Sequence, residues 1–162
     1  MKNSLEEALK NTDTTYNQLV EIANKMIAVY TDEITKLIKE AEQTVNNLTN
    51  DEIRNLTTKL SFFAFHFGDV KEKSSLKAEC AEALRKERYA IEFNANDGSV
   101  ASRDSNATLN ISSEVMVEAL YNLVANLFKV KLDEIHRVVD TLKTNLMTRL
   151  QEAKLTLGSS VE

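Results

Sequence analysis

Proline is absent from this chain, and its absence is the sequence feature that most restricts the fold. The 162 residues also include only three glycines. Folds built from strands need many tight turns, and most tight turns use glycine or proline. Few turns imply long elements, so the sequence favours a small number of long helices. Glycine-rich loops that bind phosphates or cofactors are disfavoured for the same reason.

Apolar side chains recur at steps of three and four residues along three long segments, as in helices that bury one face. The segments cover about residues 4–45, 50–94 and 112–157. At ~1.5 Å of rise per residue, the third helix would be roughly 68 Å long. Such a helix needs a neighbouring helix along its side, from this chain or from another. We therefore predict a single all-α domain over residues 1–162: an elongated bundle of about three long helices with coiled-coil-like packing, assembled as a homo-oligomer.

The connections between the predicted helices are polar. Thr49 and Glu52 have the spacing of a capping box, in which each side chain bonds the free backbone N–H of the other, so the second helix begins near residue 50. The segment 94–112 has no helical period. It contains the turn signal Asn96-Asp97-Gly98 and a few alternating apolar residues, which predict either a short hairpin or an open polar loop.

No combination of residues points to catalysis. The only histidines are His66 and His136, and a two-histidine metal site would need an acid or a cysteine converging on both. His66 is expected to pack in an aromatic core, and His136 to be solvated or to lie between helices. Nucleotide-binding, serine-hydrolase and zinc-protease motifs are absent. We predict a protein that is not an enzyme and that uses neither a metal nor a cofactor.

The second predicted helix carries more apolar residues than one face can hold. Four phenylalanines lie between residues 62 and 67, and a core explains about two of them. We predict that Phe62 and Phe65 contact a partner, with packing inside or between subunits as the alternative. Further along, the single cysteine, Cys80, shares one side of the helix with Leu76, Ala83, Leu84 and Ile91, and is expected to be a small buried residue.

Basic residues on the same helix are the most informative charges. The chain has a net charge of −5, so nucleic acid could be bound only by a local basic stripe. At ~100° per residue, one arc of about 120° contains Lys73, Lys77, Arg85 and Arg88, and Arg103 could extend it. Evenly spaced cations suit a phosphate backbone. In the alternative interpretation, these cations flank a coiled coil and meet acids of a neighbouring helix.

The order of these features resembles a family of small bacteriophage proteins. The sequence Ala-Leu-Arg-Lys-Glu-Arg-Tyr at 83–89 is followed by a polar hinge with Gly-Ser-Val-Ala-Ser-Arg-Asp at 98–104, and then by a long helix that opens with Glu114-Val115 and includes 132–140. This layout is similar, over residues 53–154, to recombination mediator proteins of the UvsY type. The resemblance implies an all-helical oligomer that binds single-stranded DNA and helps to load a recombinase. It assigns DNA binding to Arg85, Lys86 and Arg88.

Two functions follow as hypotheses. The first is a phage recombination mediator that binds single-stranded DNA and a recombinase. The second is a protein-binding module without nucleic-acid binding, such as an inhibitor of host defence or a structural adaptor, whose acidic surface engages a basic protein. The lone cysteine and the lack of an apolar signal core or membrane-length apolar stretch favour the cytoplasm of the host cell and no contact with membranes.

Overall fold

The computed structural model describes residues 2–44 and 47–158, and the side chains of residues 10–43 and 47–156. This part of the chain forms four helices and no strand, which are α1 (Lys2–Thr44), α2 (Asn50–Ala95), α3 (Val100–Asn110) and α4 (Ser112–Gly158). The prediction of an all-α bundle of long, packed helices is confirmed. The three long predicted helices correspond to α1, α2 and α4, with ends that differ by two residues or fewer.

Contacts between Cα atoms group the chain into two compact units. The first unit contains residues 1–28 and 70–128, and the second contains residues 29–69 and 129–162. Each unit therefore includes part of α1, of α2 and of α4, whereas α3 belongs to the first. The single domain expected from the sequence stays a prediction.

The second unit has a core of large aliphatic side chains. The largest fully buried residues of the described chain all lie in this unit: Ile34 on α1, Ile53 and Leu60 on α2, and Ile135 and Leu142 on α4. Burial of each such side chain contributes about 1.5–3 kcal/mol, so this row holds the three helix segments together.

The connection before α2 is fixed by the predicted capping box. The Thr49 N–H donates to Glu52 Oε2 at 2.7 Å, and the Glu52 N–H donates to the Thr49 hydroxyl at 3.3 Å. Two backbone donors that the helix leaves free are thereby satisfied. The Arg149 guanidinium on α4 also donates to the Leu48 carbonyl and attaches this connection to the second unit.

The first unit buries only small side chains on α2, which are Ser74, Ala78 and Ala81. The rest of this unit contributes the buried residues Ala23, Ile27, Ala107, Ile111, Val124 and Phe128. The two leucines and the isoleucine of this part of α2 are exposed. We call them, together with the cysteine and alanine between them, the outward row of α2: Leu76, Cys80, Ala83, Leu84 and Ile91.

The prediction that Cys80 is buried is wrong, because its thiol is exposed. The buried side of α2 follows a strict seven-residue step through Ile53, Leu60, Phe67, Ser74 and Ala81, all of which are buried. In the first unit, Ser74, Ala78 and Ala81 mark the buried face of α2, and Cys80 lies on another face of the helix. Helical periodicity detected the row that contains Cys80 but not the face with Ser74, Ala78 and Ala81, which is the buried one.

The predicted hairpin or open loop at 94–112 is also wrong, because most of this segment forms α3. Ser99 is the N-cap residue, and its hydroxyl accepts from the Ser102 N–H at 3.3 Å. Ala107 and Ile111 are buried, with 0% and 3% of their surfaces exposed. A good cap and these buried contacts stabilise a helix that the polar sequence alone favours only weakly. The predicted turn survives at Gly98, the one residue of the described chain with a positive φ, at +116°.

Candidate interaction surfaces

The first candidate surface is the basic set on α2 and α3, all in the first unit. Within this set, Arg85 does not point freely into solvent. Its Nε donates to Glu118 Oε2 on α4, and 27% and 20% of the two side chains are exposed. An ion pair with this little exposure holds its partners in a fixed geometry, because breaking it leaves a partly desolvated charge without a partner. Arg85 therefore joins α2 to α4.

Lys86 and Arg88 are also engaged by acids, one helical turn away on α2. Lys86 Nζ lies 2.5 Å from Glu82 Oε1, and Arg88 Nη2 lies 2.8 Å from Glu92 Oε1. Lys86 lowers the pKa of Glu82, first through the hydrogen bond that it donates and then through its charge. These pairs cancel the positive charge where the resemblance places a DNA contact.

Arg103 is held at the C-terminal end of α2. Its Nε donates to the Phe93 carbonyl at 2.9 Å, and Nη2 lies 3.3 Å from Asn94 Oδ1. The guanidinium carbon also lies 4.2 Å from the centre of the Phe93 ring. The last carbonyls of a helix have no partner within that helix, and a cation is favoured beside them. Arg103 thus ties α3 to the end of α2.

Lys73 and Lys77 are the most available cations of the predicted set. Both are exposed, and they are one helical turn apart on α2. Lys77 Nζ lies 6.0 Å from the centre of the Tyr121 ring, at the outer limit of a cation–π contact. Within the part of the chain that the structure describes, Lys73 has no ion-pair partner.

The predicted aromatic contact pair lies in the second unit. Phe62 is 64% exposed and Phe65 is 72% exposed. Phe65 borders a groove of about 300 Å³ between α2 and α4, which His136 and Val139 also line. His66 is exposed, and its ring meets the Phe65 ring edge-on with centroids 5.7 Å apart, so the prediction that it packs in an aromatic core is wrong. Partner binding by Phe62 and Phe65 stays a prediction.

The outward row of α2 is a surface that the sequence interpretation missed. Leu76 and Leu84 lie four residues on either side of Cys80 and are 58% and 62% exposed. Lys73 and Glu87 lie seven residues on either side of Cys80, and both are exposed. Like Lys73, Glu87 has no ion-pair partner among the described residues. This symmetric spacing is visible in the sequence, but it indicates a surface only once the opposite face is known to be buried.

Other kinds of site are not found in the described residues. No group of three or more His, Cys, Asp or Glu side chains there is arranged to hold a metal ion, and none of the described helices combines the length and the apolar character needed to cross a bilayer. No protein-family model matches the sequence, and no curated protein or solved structure matches it. The resemblance to UvsY-type mediators stays a prediction.

Proposed function

We propose that this chain is a non-enzymatic protein-interaction module that binds other helices through the outward face of α2. The proposal rests on how side chains are distributed between two faces of this helix, because small residues are buried and large apolar residues are exposed. Between residues 74 and 91, α2 turns Ser74, Ala78 and Ala81 to the core and exposes Leu76 and Leu84. Burial of a leucine stabilises a complex by about 1.5–3 kcal/mol, so an exposed row of this kind favours a helical partner. A structural adaptor and an inhibitor of another protein both belong to this class.

The charges of the first unit support a protein partner. Arg85, Lys86 and Arg88 each face a carboxylate, so this region provides little net positive charge for a phosphate backbone. Binding of DNA there would require these pairs to open, whereas a polypeptide can be accommodated with the pairs intact.

Affinity capture with matched variants tests the proposal. The purified chain is used as bait in a nuclease-treated lysate of the organism that encodes it, beside Leu84→Glu and the control Leu155→Glu. Leu155 is 74% exposed, against 62% for Leu84, and lies on α4. We expect wild type and Leu155→Glu to retain the same specific proteins and Leu84→Glu to lose them. Identical capture by all three baits would contradict a role for the outward face.

A second proposal is the mediator function expected from the sequence, in which a phage-encoded protein binds single-stranded DNA and a recombinase in the cytoplasm. Lys73 and Lys77 support it, because both are exposed and Lys77 lies beside the Tyr121 ring. Cations next to aromatic rings are typical of single-strand binding. Fluorescently labelled oligo-dT should bind at low salt and lose affinity with Lys73→Glu plus Lys77→Glu. The absence of binding at low salt would exclude this function.

A further inference from the structure

We propose that two copies of this chain pair through residues 73–87 of α2, antiparallel and about a two-fold axis at Cys80. The inference rests on the proposed function, which makes the outward face of α2 a contact surface. It adds the occupant of that surface, which is a second copy of the same chain. It also adds the direction in which the two helices run and the residues that meet.

The spacing of the side chains around Cys80 carries the first part of the inference. In an antiparallel pair with this axis, a residue that precedes Cys80 in one copy lies opposite the residue that follows Cys80 by the same number of positions in the other copy. Leu76 of one copy is then level with Leu84 of the other, and the two thiols meet at the axis. At ~100° per residue, the five residues Lys73, Leu76, Cys80, Leu84 and Glu87 lie within an arc of about 80° centred on Cys80. A two-fold contact needs such a self-complementary patch.

The charges decide the direction of pairing. Lys73 and Glu87 are level with each other across the same axis, so an antiparallel pair forms two identical Lys–Glu contacts. Both side chains are exposed, and neither has an ion-pair partner among the described residues. A parallel, in-register pair would place lysine beside lysine and glutamate beside glutamate, which is unfavourable. Complementary charge therefore selects the antiparallel arrangement.

The neighbouring elements leave the outward face of this stretch of α2 exposed. The contacts of α3 with α2 involve Tyr89, Glu92 and Phe93, which follow the pairing segment. The ion pair of α4 with α2 uses Arg85, on the buried side of the helix. The 14-residue step from Lys73 to Glu87 is about 21 Å long, enough for four turns of two helices to lie side by side.

Charge reversal in the full-length chain tests the inference. The dimer dissociation constant is measured by analytical ultracentrifugation at low salt with reductant present. We expect Lys73→Glu and Glu87→Lys each to raise this constant about tenfold, because each converts two attractive contacts into two repulsive ones. The double variant, and an equimolar mixture of the two single variants, should return to within about threefold of wild type. Lys36→Glu, an exposed lysine on α1, is the control and should leave the constant unchanged.

Disulfide formation tests the direction independently. In a Cys80→Ser background, Leu76→Cys and Leu84→Cys chains should cross-link to each other under mild oxidation and not with themselves. Cross-linking of each variant only with itself would overturn the antiparallel arrangement. All substituted side chains are exposed, so the fold is expected to persist, and helical circular dichroism checks this.

Failure of the inference can be separated from failure of the proposed function. Self-pairing through residues 73–87 is overturned if the wild-type chain stays monomeric. It is also overturned if both charge reversals leave the dimer dissociation constant unchanged. If Leu84→Glu then still loses a captured foreign protein, the outward face binds a different helix and the proposed function stands. If Leu84→Glu also leaves capture unchanged, both are overturned.

Discussion

Arg85 on α2 and Glu118 on α4 form an ion pair that is mostly withdrawn from water, although 33 residues separate them in the sequence. The helical wheel of α2 alone shows a basic stripe that includes Arg85. The contact with α4 changes the interpretation of that stripe, because Arg85 holds two helices of the first unit together.

A double-mutant cycle measures this contact. Arg85→Met and Glu118→Gln should each lower the free energy of unfolding by about 1–2 kcal/mol, because each leaves a partly desolvated group without its partner. The double variant should lose less than the sum, with a coupling of about 0.5–1 kcal/mol. Urea unfolding followed by circular dichroism gives all four values. Strict additivity would mean that the two side chains do not interact in solution.

The capping box at the start of α2 makes stability depend on pH. The Thr49 backbone N–H and then its hydroxyl donate to Glu52, and these bonds lower the pKa of the Glu52 carboxyl from its ordinary value of 4.5. A lowered folded-state pKa contributes stability that is fully present above pH 4.5 and is lost as the pH falls through the folded-state pKa. The stability of Glu52→Gln should therefore differ from that of wild type at pH 7 and approach it near pH 3. Thermal unfolding measures both. A difference of constant size across this range would contradict the capping role.

Much of the fold was predictable because it depends on local signals. The absence of proline, the apolar steps of three and four, and the Thr49–Glu52 box place α1, α2 and α4 almost where they occur. The helix α3 was missed because its stability depends on burial of Ala107 and Ile111, which no local pattern reveals. Its cap, Ser99, directly follows the predicted turn and lies in the segment assigned to a polar hinge.

The surfaces were harder to predict than the fold. Periodicity finds apolar rows on α2, but only packing shows that the row with Ser74 and Ala81 is inside and the row with Leu84 is outside. Small side chains on the buried face give a weak signal in any hydropathy pattern. Likewise, the partner of Arg85 comes from another helix, so spacing along α2 could not identify it.

Two glycine substitutions should change stability in opposite directions. Gly68 lies inside α2, and a methyl group added there would meet no atom within 4 Å. Gly68→Ala should stabilise the chain by about 0.5–1 kcal/mol, because alanine loses less backbone entropy in a helix. Gly98→Ala should destabilise by ~1 kcal/mol or more, because the φ of +116° is strained for any side chain. Equilibrium unfolding distinguishes the two, and the same sign for both would contradict these backbone assignments.

Two leucines on α2 provide a test of which face is buried. Leu60 is completely buried, whereas Leu84 is mostly exposed. At protein concentrations low enough to keep the chain monomeric, Leu60→Ala should cost about 2–5 kcal/mol, and Leu84→Ala should change the free energy of unfolding by less than about 0.5 kcal/mol. Equal costs would place Leu84 in the core.

The thiol of Cys80 offers the most direct measurement of the central claim, that α2 exposes a face which a second copy covers. We expect a thiol reagent to modify Cys80 rapidly in dilute native protein, at a rate close to that of the unfolded chain, because the residue is exposed. The rate should fall as the protein concentration rises through the dimer dissociation constant, and Lys73→Glu should shift this fall to about tenfold higher concentration. A thiol that is unreactive in dilute native protein, or one that reacts equally fast at every concentration, would contradict the claim.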